Sequence, residues 1–536
     1  MGLSPVCGRA PRRRGGAVSV WVTRLRSLVI GLAGLWALVL LIVFAGRIGF
    51  PLELEWMEGG SLHTALRLQQ GHAMYPEPSA EFVPFLYTPL YPALLAVLGW
   101  VLPLGYALGR AVSIAAIAAV ALGLWRLVLL EGKPRAHAAA AVGLFLSGYV
   151  FTFRWYDVAR ADSLFLALML WGLILLRHAG KSRRRALLAG TLVAAAFWAK
   201  QTAAVFVLAS GAAGLIVAPR VVWVYAATIA AIDGGGVLLG QWLTEGRLWT
   251  YIYELHQAHA FNAVRFWRKT WGMFLHAAPF LAVLAVWASA KRMSDWSVLK
   301  EHGREGRWRG PAYWGVIAAA GLLVSALGYS TQWAEPNAFM PGVCFAAAWL
   351  AVMLPIGRGE APALALVAAQ LVFALVIEPR YQPIQDAGLA GLRDSYTRQD
   401  PARTLPPAEL RAQAAALRAE LEAQPRPILA LHRPWWNVLA GGPGHVGSMG
   451  IHDVPKDRQR EIEATLAGAI ERGEFAAIWV DGDPPGWLRR SLRRHYAPAR
   501  QLADEARVLP MTGYMSAAGM VTPWTGVQHE YVRKRE

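Results

Sequence analysis

The chain is poor in charge, poorer still in cysteine, and carries no internal repeat of fixed period. Only 16% of its 536 residues are Asp, Glu, Lys or Arg, against about a quarter in an ordinary soluble protein. Cys7 and Cys344 are the whole cysteine complement, which excludes a disulfide framework and a cysteine metal cluster. Cys7 precedes the first apolar run instead of following it, so a lipoprotein anchor is excluded too. There is no nucleophile elbow and no phosphate-binding P-loop. The glycine run Gly441–Gly447 lacks the spacing of a dinucleotide loop and reads as a turn. No two halves pair as the inverted repeats of a transporter would.

What is present is apolar: 55% of residues are hydrophobic and 24 are tryptophan, a side chain that favours the membrane interface. Apolar runs near the span length of about 20 residues recur along the chain, as in a polytopic membrane protein. They are Ser27–Ala45, Gly105–Leu130, His137–Thr152, Ser163–Leu176, Ala186–Trp198, Ala203–Val217, Val221–Trp242, Trp271–Ser289, Tyr313–Leu327, Phe339–Pro355 and Ala361–Ile377. The first is longer than a signal-peptide core and is followed by Arg47 and a polar loop, which predicts an uncleaved signal anchor. The net charge of +18 sits in short gaps between these runs: Arg9 to Arg26, Lys133/Arg135, Arg177 to Arg185, and Lys291 to Arg309. That is the pattern of cytoplasmic loops. No aromatic-plus-basic module accompanies it, so nucleic acid is not an expected partner.

Tyr87–Pro103 is apolar but short and edged by proline. If it crossed the bilayer, the basic loops would fall on the side opposite the N-terminal arginines. If it lies in the interface, every one of them falls inside. The expected topology therefore has about 11 spans, the N-terminus cytoplasmic and the C-terminus outside. It places several polar segments on one outer face: the first loop, Phe153–Asp162, Lys200–Gln201, Leu243–Thr270 and Tyr329–Asn337. After Ile377 the composition turns charged and proline-rich. Ile428–His432 and Ala476–Asp481 read as short buried strands with a helix, Arg458–Arg472, between them. The expected architecture is an all-α polytopic membrane protein of the cell membrane, residues 1–378 with its first outer loop at 47–104, joined to a small α/β extracytoplasmic domain, residues 379–536.

The first loop concentrates Glu53, Glu55, Glu58, His63 and Arg67 beside the bilayer. Glu55 and Glu58 are three apart, so one helical turn presents both on one face. A carboxylate at the edge of a low-dielectric layer has its pKa raised, which suits a general base; capping of the following helix is the structural alternative. Asp157, Arg160 and Asp162 share a loop between two runs, where charges are costly unless paired or functional. An Asp157–Arg160 ion pair, or Asp162 as a helix cap, is the alternative there. Lys200 is a single cation between two apolar segments, suited to snorkelling or to a phosphate. His63, His256 and His259 match no metal motif. The carboxylates could hold a divalent cation, but nothing in the sequence sets a ligand count.

Glu55-Trp56-Met57-Glu58-Gly59, then Tyr75-Pro76 and Tyr87-Thr88-Pro89-Leu90-Tyr91, resembles the first outer loop of GT-C membrane glycosyltransferases. The nearest group is family 39 or RgtA/B/C/D-like, with the protein mannosyltransferases and the lipid A aminoarabinose transferase. Arg160-Ala161-Asp162-Ser163-Leu164 stands where that family has its second acidic motif, and Ala199-Lys200-Gln201-Thr202 resembles its lysine-containing turn. This chain has Glu55 where aspartate is usual. The resemblance covers Leu52–Thr202 and implies a GT-C-like fold and sugar transfer from a polyprenyl-phosphate donor to a glycan, lipid or protein hydroxyl. Glu58 or Glu55 would be the base, with Asp162 as a second, positioning acid. Arg160 and Lys200 would contact phosphate, and His63, Tyr87 and Asp157 would help bind substrate. The rival expectation is a transporter or flippase for a lipid or solute.

Overall fold

In a bilayer the backbone must satisfy its own hydrogen bonds, so apolar stretches of this kind become helices. Each of the runs named above does so in the computed structural model, which describes residues 20–294, 308–424, 427–480, 484–501, 511–513 and 529–534. Arg9, Arg12, Arg13, Arg14, Cys7, Lys300, Arg304, Arg307 and Asp481 lie outside these residues.

The first helix, α1 (Val20–Ile48), buries Val29, Trp36, Leu40 and Val43 and leaves Leu28, Ile30, Leu38, Leu41 and Ile42 exposed. A helix apolar all round with one packed face and one bare face is one that meets lipid. Its packed face lies on α5 (Arg135–Ser147) and α14 (Glu360–Val376), with Trp36 Nε1 donating to the Leu371 carbonyl at 3.0 Å. Between α1 and α5 come α2 (Glu58–Gln69), α3 (Leu90–Leu98) and α4 (Tyr106–Leu130). Then follow α6 (Ala161–Arg177), α7 (Arg183–Ala199), α8 (Ala203–Val217) and α9 (Val222–Leu243). The bent pair α10 (Thr270–Ala277) and α11 (Pro279–Ser294) precedes α12 (Arg309–Tyr329) and α13 (Met340–Met353).

Among the described residues five helices are long and apolar enough to cross a membrane, and the bent pair, turned by 97°, would make a sixth. The other expected spans are helices of 13 to 17 residues. Helix length therefore establishes a multi-pass membrane protein but not the count of eleven. The interfacial reading of Tyr87–Pro103 agrees with α3, whose nine residues reach only about 14 Å. Beyond it Trp100, Val101 and Leu102 stand exposed.

The two sets of loops gather at the two ends of α4. At its C-terminal end Arg177 Nη2 donates to Glu131 at 2.9 Å, Lys133 Nζ to the Leu354 carbonyl at 2.7 Å, and Arg26 is paired with Glu360 at 2.7 Å. These are segments whose charge predicted a shared side. The segments predicted to share the other side meet near Arg110, at the N-terminal end.

The chain after Ile377 forms a two-stranded antiparallel ladder, β1 (Ile377–Pro379) with β2 (Tyr396–Arg398), and a four-stranded sheet of order β3-β4-β6-β5. β3 (Ile428–Ala430) and β4 (Ala477–Val480) are parallel, joined by α18 (Lys456–Glu471) as the sequence predicts. β6 (His529–Arg533) and β5 (Tyr496–Gln501) add antiparallel. Neither shows the apolar alternation of a strand, and Pro498 sits at a register shift on the edge, where a missing N–H is tolerated. Further helices in this part include α15 (Ala408–Ala423), α16 (Pro434–Leu439) and α17 (Ser448–Asp453), with Gln382–Ala387 and Gly486–His495 also helical.

Candidate active site

A cavity of about 350 Å³ opens where the first loop, the 153–162 loop, the turn at 200–202, the 252–259 segment and the 328–338 segment converge. These are the segments expected on one outer face. Their convergence follows from local geometry: Phe153 and Arg154 adopt φ of 54° and 63°, an uncommon conformation for non-glycine residues that turns the chain back sharply. Of the residues that follow, Trp155, Arg160 and Asp162 line the cavity. Arg154 is anchored from the far side by Glu378, 3.2 Å away.

Glu55 lines the cavity and is fully buried. One carboxylate oxygen accepts from Arg160 Nη1 at 2.9 Å; the other, Oε1, has no hydrogen-bond partner among the described residues. Burial pushes its pKa up to about 7, against the lowering influence of Arg160 and with a smaller raising one from Glu58. Arg160 also donates to the Tyr87 hydroxyl at 2.8 Å and lies between the Tyr87 and Trp155 rings. Asp162, in the first turn of α6, accepts from Lys200 Nζ, from Asn337 Nδ2 at 3.0 Å and from Trp155 Nε1 at 3.1 Å. The structure thus brings Glu55, Asp162, Arg160, Lys200 and Tyr87 to one cavity wall.

Three expected residues do not join them. Glu58 lies behind the wall, gripped by Arg110 at 3.0 and 2.7 Å and by the backbone N–H groups of Leu54 and Ala159, both at 2.7 Å. With both oxygens saturated it has no room to act on a substrate proton. Asp157 pairs with Arg47 at 2.6 Å and accepts from Tyr149 at 2.9 Å, so in place of the alternative Asp157–Arg160 pair the structure has Asp157–Arg47 and Arg160–Glu55. His63 faces away from the cavity, its ring against Phe82 and Gly444. Burial lowers its pKa to about 3, leaving it neutral. Gly444, at φ 84°, confirms the turn reading of the glycine run, and a Cβ there would stand 2.3 Å from the His63 ring nitrogen.

The cavity also has residues that sequence reasoning did not single out as binding groups. His256 contacts the Leu86 carbonyl and Gln201, each at 2.7 Å, and His259 faces Asp453 at 3.3 Å. Asp453 and Met449 come from α17 in the C-terminal part. Nothing local marks them, since they meet the site only through long-range folding. Among the described residues no three of His, Cys, Asp and Glu gather as metal ligands. A second cavity, about 390 Å³ and walled by apolar side chains including Phe151, Phe274, Leu281 and Leu350, holds none of these polar groups.

The overall fold has counterparts among solved structures. Among the solved structures it is similar to are two of ArnT from Cupriavidus metallidurans. The form bound to undecaprenyl phosphate aligns with a TM-score of 0.55 and 12% identity over 93% of this chain and 98% of that one. The apo form gives 0.54 and 13% over the same shares. No family model and no curated protein matches this chain, and at this identity the likeness is one of fold.

Proposed function

We propose that this protein is a cell-membrane glycosyltransferase that moves a sugar from a polyprenyl-phosphate donor to an acceptor hydroxyl on the outer face. It would cross the membrane eleven times, with its N-terminus cytoplasmic and its C-terminal α/β domain outside. The observation that carries this reading is buried Glu55 in the lining of a cavity that Arg160 and Lys200 also line, its Oε1 without a hydrogen-bond partner among the described residues. A carboxylate with one oxygen fixed and one free is positioned to take a proton. Glu55 removes the acceptor hydroxyl's proton as that oxygen attacks the anomeric carbon. The bond from that carbon to the phosphate oxygen breaks, and its electron pair leaves with the phosphate. Arg160 and Lys200 oppose the charge that develops there, and Asp162 holds Lys200 in place. The undecaprenyl phosphate in the ArnT crystal structure supports a lipid phosphate as the carrier. Tyr87, through Arg160, is a positioning residue.

Mass spectrometry of envelope lipids and glycans from cells with the native protein, with Glu55→Gln and without the protein tests the reading. A glycan or lipid form lost in both altered strains supports it. Unchanged glycans with an altered distribution of lipid or solute overturn it in favour of transport. Lys200 gives a second expectation. A charged hydrogen bond to phosphate contributes about 1.5–3 kcal/mol, so Lys200→Met should raise the donor KM roughly tenfold to a hundredfold. Lys200→Arg should recover part of that, as measured by transfer rate against donor concentration.

A further inference from the structure

The first loop is held by the C-terminal domain on either side of Leu54, the residue before Glu55. Glu53, fully buried, accepts from Trp436 Nε1 at 2.7 Å and faces Arg433 at 3.7 Å, across 383 residues of sequence. At the next residue, the Thr512 N–H donates to the Leu54 carbonyl at 2.9 Å, while the Thr512 hydroxyl accepts from Arg47 at 2.5 Å. On the far side of Glu55, Gly59 packs so closely on α16 that a Cβ there would stand 2.8 Å from the Trp435 Cβ. The backbone around Glu55 is therefore fixed by contacts from residues 435, 436 and 512, on chain that the reaction chemistry does not otherwise use.

We infer that Trp436 is a positioning residue of the reaction: through Glu53 it sets where the Glu55 carboxylate stands in the cavity. This rests on the reading of Glu55 as the base. A buried carboxylate that loses the Trp436 hydrogen bond is drawn toward its remaining neighbours, Arg433 at 3.7 Å among them, and shifts. Glu53 is two residues from Glu55 in a bend outside any helix, so the shift passes directly to Glu55. The C-terminal domain is then part of the catalytic apparatus and not only an outer appendage.

The test uses the full chain in detergent and three variants: Trp436→Phe, which keeps the ring and removes the donor; Glu53→Leu, which removes the acceptor; and Glu53→Gln, which can still accept. Carbodiimide modifies protonated carboxyl groups, and peptide fragmentation can assign the modification to Glu55. This reading needs no substrate. In the native protein, modification should fall away with a midpoint near pH 7, where burial places the Glu55 pKa. In Trp436→Phe and Glu53→Leu the midpoint should drop toward the ordinary carboxylate range. Transfer should fall about tenfold to a hundredfold in kcat, the scale for a catalytic group displaced by about an ångström, with donor KM unchanged. Glu53→Gln should keep the native midpoint. A native midpoint and native kcat in either of the first two variants, folded by its melting profile, overturns the inference. If one variant fails to fold, the other carries the test. A native protein that transfers no sugar, yet shows the midpoint shift, refutes the proposed function and leaves the positioning intact.

Discussion

Glu55→Gln should lower sugar transfer by at least about a hundredfold, the lower end of what a positioned general base contributes. Glutamine keeps the volume and can still accept from Arg160, so the loss would report proton transfer and not a collapsed loop. The pH dependence follows from the same residue. Burial favours the neutral form and moves the pKa from 4.5 to about 7, so the carboxylate that acts as base predominates only above that pH. Activity as kcat/KM should rise about tenfold per pH unit below about 7 and level off above it. The shift also has a sign in stability. Between about pH 4.5 and 7 the unfolded chain has released this proton and the folded chain still holds it, so stability falls as pH rises through that window. In Glu55→Gln this residue's part of that slope should vanish. Measuring kcat/KM from pH 5 to 9 decides the matter: a flat native profile, or a variant with near-native rate, would remove Glu55 from the mechanism.

The grouping of the loops at the two ends of α4 was legible because charge placement obeys a physical rule that acts on each loop separately. Lys133, Arg177 and the 358–360 turn reach one end of α4, while the 153–162 loop, Lys200 and Tyr329–Asn337 reach the other. The choice between Glu55 and Glu58 was not legible, because helical spacing puts both on one face and says nothing of what lies opposite. Arg110 makes the distinction. An arginine inside an apolar run needs a partner, and that was the signal pointing to an acid elsewhere. The partner of Asp157 was not legible for a related reason. Its neighbour Arg160 is nearest in sequence, but Arg47 is nearest in space. The roles of Trp436, Asp453 and Thr512 depend on contacts spanning hundreds of residues, which no local pattern encodes. The strands β5 and β6 escaped because neither is an apolar run and their order in the sheet is set by pairing, not by composition.

Arg110→Met should be the most damaging substitution for folding. Its guanidinium meets both Glu58 oxygens and donates to the carbonyls of Phe50 at 2.7 Å and Leu52 at 2.6 Å. All of these groups are buried. Removing one side of such a pair leaves an uncompensated charge and two orphaned carbonyls, at a cost of about 3–5 kcal/mol. Glu58→Gln should cost less, because the amide oxygen still accepts and Arg110 keeps its two carbonyl partners. The double variant Arg110→Met/Glu58→Leu should recover part of the loss, since no charge is then stranded. Thermal unfolding in detergent, compared across the single and double variants, gives the coupling directly. A coupling near zero would mean that Glu58 is not held by Arg110. Its exclusion from the cavity would then lose its basis, and Glu58 would return as a candidate base. A large coupling would place Glu58 in the frame that carries Glu55, so its loss would lower activity through the loop and not through the proton.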